Sequence, residues 1–194
     1  MKIFENFYHS VIKASSSERA PAVLSFLSFI ESFILPFPPP DVMLAPMSLA
    51  KPNKAIYFAT LTLIASLLGG AVGYLIGAYG YEFAEPYIVQ WGYEARFARV
   101  MEWFEVWGFW AVLVAGFSPV PYKIFTISAG VLSLAFLPFM IASLIGRGAR
   151  FYLVAILLAR FGPAIEHKLL AYIERIGWAV VVLLVLAIGY FSFR

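Results

Sequence analysis

Five ionisable residues interrupt long apolar stretches of the sequence: Glu31, Asp41, Lys123, Arg147 and Arg150. A carboxyl group removed from water favours its protonated form, so Glu31 and Asp41 are predicted to handle protons or counter-charge. Lys123 follows a proline-rich turn, where a helix is expected to begin, and helix N-termini attract anions. Arg147 and Arg150 share one helix face because they are three residues apart, and arginine binds phosphate oxygens bidentately. Together the five residues predict a site for an anionic guest that carries a phosphate or a carboxylate.

Each of these residues also has a purely structural interpretation. Asp41 could only cap the helix that it begins, and Glu31 could form a structural salt bridge. Lys123 could pair with either acid, with or without a substrate role, and Arg150 could reach the membrane surface more easily than Arg147. Ordinary backbone bonding is expected for the hydroxyl groups nearest the turns, which belong to Ser32, Ser118, Thr126 and Ser128.

The composition indicates that most of the chain is surrounded by lipid. Of 194 residues, 62% are hydrophobic and only 13% are charged, whereas about a quarter are charged in soluble domains. Residues 55–81, 124–146 and 176–193 contain no charge, and about 20 apolar residues cross a membrane. Five charges facing lipid would cost on the order of 10 kcal/mol. They are therefore expected to face each other or water, which makes them functional candidates.

Two proline-rich breaks divide the apolar regions into short arms. Proline cannot continue a helix because it lacks an N–H donor and clashes with the preceding turn. The arms 21–35 and 41–50 are too short to cross a membrane, so the first break predicts a re-entrant hairpin, and the second break predicts another. A full-length apolar run follows each hairpin. The two runs are separated along the sequence by the same number of residues as the two breaks, which predicts a repeat. The turn residues are Pro36, Pro38, Pro39 and Pro40 in the first break, and Pro119 and Pro121 in the second.

The distribution of charge predicts that the two hairpins enter from opposite faces. Loops rich in Lys and Arg lie on the cytoplasmic side, which places the N-terminus, Lys51 and Lys54 inside and the acidic segment 81–105 outside. Such an inverted repeat is typical of transporters. We predict one all-α integral membrane domain, 1–194, in the cell inner (plasma) membrane. Its predicted parts are an N-terminal amphipathic interfacial helix (1–19), the first hairpin plus transmembrane helix (20–80), an extracytoplasmic amphipathic connector (81–105), the second hairpin plus transmembrane helix (106–163), and a C-terminal transmembrane helix (164–194) that ends outside.

Several classes of function are disfavoured by what the sequence lacks. The two histidines, His9 and His167, lie outside the hairpins, and the chain has no cysteine and one aspartate. We therefore predict no catalytic residue, no metal site, no cofactor and no enzyme activity. The net charge of +3 is small and scattered, so no nucleic-acid partner is expected. The expected partners are membrane lipids with an anionic phosphate head group, and homo-oligomerisation stays open.

Three segments carry a resemblance to a known family. They read ESFILPFPPPD at 31–41, GFSPVPYKIFTISAG at 116–130 and GRGAR at 146–150. With them, roughly residues 20–165 resemble the DedA family, also called the SNARE-associated Golgi or VTT-domain superfamily, and most closely its YqaA-like branch. The resemblance implies two opposed re-entrant hairpins and translocation of phospholipids or a polyprenyl phosphate, in some relatives coupled to protons. It also implies that Glu31 and Asp41 are the family's membrane-embedded acids.

The second hairpin departs from the family pattern. Many relatives place arginines around that proline turn, whereas this chain has Ser118, Tyr122 and a single Lys123. Arg147 and Arg150 then remain as the other phosphate partners. The expected function is a lipid translocase or scramblase, with a small-anion or solute transporter and a non-transporting membrane scaffold as the alternatives.

Overall fold

A computed structural model describes residues 17–34, 39–90, 94–118 and 121–162, with isolated positions at Arg175, Ala179, Val182 and Leu186. Within the four continuous ranges the chain forms six α-helices and no strand, which confirms the all-α fold class. A short 3₁₀ turn, Pro52–Lys54, joins the second helix to the third. The helices are α1 (Ala20–Glu31), α2 (Asp41–Ala50), α3 (Ala55–Gln90), α4 (Glu94–Phe117), α5 (Tyr122–Val131) and α6 (Phe136–Phe161).

Helix lengths separate the described helices into two groups. Three stretches are long and apolar enough to cross a membrane, namely Pro52–Phe83, Phe97–Phe117 and Phe136–Phe161. The helices α1, α2 and α5 have only 12, 10 and 10 residues, short of the roughly 20 that a bilayer requires. The chain therefore combines candidate membrane spans with helices too short to span.

Prolines set where the short helices begin. Proline is favoured at the first helical turn because its missing N–H would have no intrahelical partner there. Pro40 precedes α2 and Pro121 precedes α5, each as the residue that flanks the first turn. Pro39 lies just before Pro40 in the same turn. The predicted turn residues Pro36, Pro38 and Pro119 lie outside the described residues, as do the amphipathic helix 1–19, apart from its last residues, and most of the C-terminal helix.

The helices α3 and α4 extend further than the hydropathy pattern predicts. The first full span was expected to end near residue 80, but α3 continues to Gln90 and accommodates Pro86 inside the helix. The arm before the second break was expected to be short, but α4 has 24 residues. The reason is that the segment 81–105 is rich in Glu, Ala and Arg, which favour helix regardless of hydropathy. The predicted connector is thus mostly the end of one helix and the start of the next.

The two halves of the chain exchange their short second arms. In the first half α1 packs along α3, and in the second half α4 packs along α6. The second arms cross over, because α5 packs mainly on α3 and α2 packs more on α6 than on α3. One apolar core accordingly contains Leu24, Leu44, Phe58 and Phe151, from α1, α2, α3 and α6. A second core lies within the second half, among α4, α5 and α6, and Tyr74 of α3 packs against it.

Glycines allow the backbones at these crossings to touch. A Cβ atom at Gly69 would overlap the carbonyl oxygen of Phe29 in α1, and one at Gly77 would overlap that of Ile127 in α5. On the facing side of the same contact, a Cβ at Gly130 would overlap the carbonyl of Tyr74. Small residues at such spacing are what close packing of membrane helices requires. Gly69 and Gly77 of α3 therefore allow close packing of these helices.

Candidate functional site

Glu31 and Arg147 form a buried ion pair between α1 and α6. The Nη2 atom of Arg147 donates to Oε2 of Glu31 at 2.9 Å, and both residues are buried. The guanidinium carbon lies 4.6 Å from the ring centroid of Tyr122 and 4.8 Å from that of Phe151. Two aromatic faces therefore enclose the arginine, and each desolvated cation–π contact contributes about 2 kcal/mol. The buried Nε of Arg147 has no hydrogen-bond partner among the described residues.

Tyr122 is fixed as the inner wall of this arrangement. It is the first residue of α5 and is almost completely buried. Its hydroxyl donates to Oγ of Ser143 on α6. Gly70 on α3 lies next to that hydroxyl and leaves room for it, because glycine has no side chain. The ring that stacks on Arg147 is thus held by contacts to two long helices.

Asp41 and Arg150 form the second ion pair, between α2 and α6. Both Nε and Nη2 of Arg150 donate to Oδ2 of Asp41, at 2.9 and 2.6 Å. Its Nη1 donates to the backbone oxygens of Phe117 at 3.3 Å and Ser118 at 2.8 Å, where α4 ends. Arg150 therefore ties the start of α2 to the end of α4. Asp41 lies in the first turn of α2 but makes no side-chain cap, so its carboxylate serves the arginine.

Lys123 is a buried cation without an ionic partner in the described structure. It is only 4% exposed, and its Nζ donates to the carbonyl oxygen of Ile34 at 3.2 Å. Neither Glu31 nor Asp41 pairs with it, because each binds an arginine instead. Lys123 also lies in the first turn of α5, where the helix dipole disfavours a positive charge. Among the described residues, its charge is therefore met by a backbone carbonyl and not by an acid.

The end of α1 and the start of α5 lie against each other. The last carbonyl groups of a helix have no intrahelical donor, and α5 supplies donors to those that follow α1. Lys123 bonds the carbonyl of Ile34, and Oγ1 of Thr126 donates to that of Ser32 at 3.0 Å. The hydroxyl of Ser32 in turn contacts Oγ of Ser66 on α3 at 3.1 Å. The two proline breaks are thus connected through their flanking residues.

The structure brings all five predicted residues into one region between the halves. Two carboxylates face three cations there, so the group carries a formal excess of one positive charge among the described residues. Sequence reasoning missed Phe151, although its position four residues after Arg147 places both on one helix face. It also missed Tyr122 as a stacking partner, which no spacing rule indicates. Within the described ranges, no group of His, Cys, Asp or Glu could hold a metal ion.

Comparison with known proteins identifies the family. The family profile of the VTT domain matches residues 39–160, which is more than half of the chain. The chain belongs to the VTT-domain family. This confirms the resemblance to the DedA and SNARE-associated Golgi proteins, and a VTT-domain protein with three candidate spans is a multi-pass membrane protein.

Two relatives share nearly the whole length of this VTT-domain protein. An uncharacterized protein of Haemophilus influenzae is 51% identical over 187 residues, which cover 96% of this chain and 97% of the relative. An uncharacterized protein of Histophilus somni is 48% identical over 183 residues, which cover 94% and 95%. No solved structure matches the chain significantly.

Proposed function

We propose that this VTT-domain protein moves lipids with a phosphate head group across the bilayer, as a translocase or scramblase. The observation that carries the proposal is the positive charge left over in the group of five, of which all but the half-buried Arg150 are buried. Burying a charge without a partner costs several kcal/mol, so the arrangement favours a guest that brings negative charge. A phosphate head group between Lys123 and the arginines supplies that charge.

The two carboxylates make the binding of such a guest reversible. In the present arrangement they occupy the arginine edges that a phosphate would bind. Protonation of Glu31 or Asp41 would release Arg147 or Arg150 for the head group, and loss of the proton would return the arginine to its acid. The stacking of Arg147 between two rings is compatible with this exchange, because the faces stay covered while the edge changes partner.

Exposed apolar side chains after Lys123 and on α3 are compatible with a lipid guest. Ile124 is 52% exposed although it follows the buried lysine directly. Leu68 and Leu75 on α3 are also about half exposed. A lipid could place its head group at Lys123 while its acyl chains stay outside the helices. A small anion would need no such surface.

The helix lengths support a re-entrant arrangement of opposed hairpins. At 1.5 Å per residue, α1 and α2 are about 18 and 15 Å long, about half of the 30 Å apolar layer. In our proposal they enter from one face and end near the membrane centre, at Glu31 and Asp41. Helix α4 is long enough to span the membrane. In our proposal its N-terminal half, which carries the exposed Glu102 and Glu105, lies outside the apolar layer. The exchange of second arms between the halves is consistent with an inverted repeat.

The test is lipid movement in proteoliposomes. Fluorescent phosphatidylglycerol or polyprenyl phosphate in the inner leaflet becomes accessible to an external quencher when it is translocated. We expect rapid loss of the protected signal with the wild-type protein, a loss slowed at least tenfold in Lys123→Met, and near-normal movement in Lys123→Arg. The matched control is Arg99→Met, which removes an exposed cation from α4.

Two results would contradict the proposal. Folded protein that moves neither lipid faster than empty liposomes contradicts lipid translocation. In that case, uptake of labelled inorganic phosphate would indicate a small-anion carrier, and no uptake would indicate a scaffold. Equal translocation by Lys123→Met and the wild type would contradict the role of the buried lysine.

A further inference from the structure

A second polar site lies at the end of α1 and α2 that is remote from the two ion pairs. A cavity of about 510 Å³ opens where the start of α1, the end of α2 and the start of α3 meet. Its floor is apolar and includes Ala20, Met47 and Phe58, which are buried. Its rim carries the exposed cations Lys51 and Lys54. An apolar floor beneath a polar rim is typical of a site for an amphipathic ligand.

The rim favours an anionic head group. The two lysines outweigh Glu18, the acid among the lining residues, and leave an excess of one positive charge. The N-terminal end of α3 adds a partial positive charge close to Lys54. Beside the rim, Tyr57 and Ile56 on α3 are 53% and 61% exposed, so an acyl chain can lie against this helix while its phosphate contacts the lysines.

The cavity is separate from the buried ion pairs. From Ala20 to Glu31 the helix α1 rises about 16 Å, which is about half of the apolar layer. Between the two sites the arms are filled by fully buried apolar side chains, among them Leu24, Met43 and Leu44. A head group in the cavity therefore cannot touch the arginines. The distance corresponds to that between the surface and the centre of a membrane.

We propose that this cavity is a docking site for the head group of an anionic phospholipid at the membrane surface. The inference deepens the proposed function, because it names the place where the lipid binds before it reaches the buried arginines. Binding here is expected even in variants that do not translocate. The occupant is a lipid, since a free anion would not use the apolar floor and the exposed face of α3.

The experiment uses the absence of cysteine from the chain. A cysteine introduced as Ala50→Cys lies in the cavity, whereas Asn53→Cys lies on the neighbouring exposed turn outside it. The alkylation rate of each by a fluorescent maleimide is measured in detergent with short-chain phosphatidylglycerol, phosphatidylcholine or inorganic phosphate. We expect phosphatidylglycerol to slow alkylation at least threefold at Ala50→Cys and not at Asn53→Cys. If Ala50→Cys does not fold, Tyr57→Cys replaces it.

The lysines are tested in the same assay. Each lysine near a phosphate adds to the affinity for the lipid. Replacing both, as Lys51→Gln with Lys54→Gln, should therefore raise the lipid concentration needed for half-maximal protection about 30-fold. Arg99→Gln is the control and should change nothing. Protection that survives the double replacement, equal protection by phosphatidylcholine, or protection by inorganic phosphate alone would each overturn the assignment.

The two proposals fail in different ways. Protection at Ala50→Cys without translocation in proteoliposomes contradicts the proposed function and leaves the docking site standing. Translocation without any protection contradicts the docking site and leaves the proposed function standing.

Discussion

The ion pair between Glu31 and Arg147 gives a prediction with a definite order of effects. Removing one partner of a buried pair costs about 3–5 kcal/mol, because the other charge stays buried, whereas replacing both partners is often nearly neutral. In Glu31→Gln the arginine keeps both aromatic faces, and the amide oxygen can still accept a hydrogen bond. In Arg147→Met the carboxylate keeps no partner. We therefore expect losses of about 3 kcal/mol for Glu31→Gln and about 5 kcal/mol for Arg147→Met.

The double variant tests the pairing itself. With both charges replaced, the remaining cost should be that of a buried amide without its partner, about 1–3 kcal/mol, which makes the coupling between the sites about 5 kcal/mol or more. Unfolding can be followed by tryptophan fluorescence in detergent mixtures with rising sodium dodecyl sulfate. The control is Thr60→Val, which removes the 2.8 Å hydrogen bond between Thr60 and Tyr152 and should cost only about 1 kcal/mol.

Translocation should follow a different order from stability. All three variants of the pair are expected to lose lipid movement, including the double variant that regains stability. A double variant as unstable as Arg147→Met would refute the pairing. A stable double variant that translocates like the wild type would refute the role of this pair in transport.

Two further perturbations test the supports of the site. Tyr122→Phe keeps the ring over Arg147 and should cost about 1 kcal/mol of stability with near-normal translocation. Tyr122→Leu removes one face, should cost about 2 kcal/mol more and should slow translocation, so equal behaviour of the two variants would contradict the stacking role. Gly130→Ala places a Cβ against the backbone of Tyr74 and should lower stability by about 1–3 kcal/mol. A Cβ at Gly80 would meet no atom within 4 Å, so Gly80→Ala should not lower stability in the same unfolding assay. Equal effects of the two substitutions would contradict close packing at the crossing of α3 and α5.

The starts of α2 and α5 could be predicted from the sequence because proline acts locally, whereas α1 ends at Glu31 and not at residue 35 as predicted. Asp41 and Tyr122 begin helices directly after prolines, as the chemistry of the missing N–H requires. The ends of α3 and α4 could not be predicted from hydropathy. Hydropathy measures where lipid is favourable, whereas the helix continues wherever the side chains allow it, up to Gln90.

The partners of the buried charges could not be predicted, although the need for partners could. The cost of charge in lipid requires that Glu31 and Asp41 be neutralised, but it does not distinguish three candidate cations. The choice depends on how α1 and α2 pack against α6, which is a contact between residues 109 and 116 positions apart. The sequence left open that Lys123 pairs with one of the two acids, but in the structure it donates to the backbone carbonyl of Ile34.

The large sequence separation of the ion pairs has a consequence for how the chain is made. Asp41 precedes Arg150 by 109 residues, and Glu31 precedes Arg147 by 116. At about 5–20 residues per second, the ribosome needs on the order of 5–20 s to produce the arginines after the acids. During that interval α1 and α2 have neither their counter-charges nor α6, the helix against which α2 mainly packs. The helices α1 and α2 can therefore reach their final packing only after α6 has been made, so the fold is completed late in synthesis.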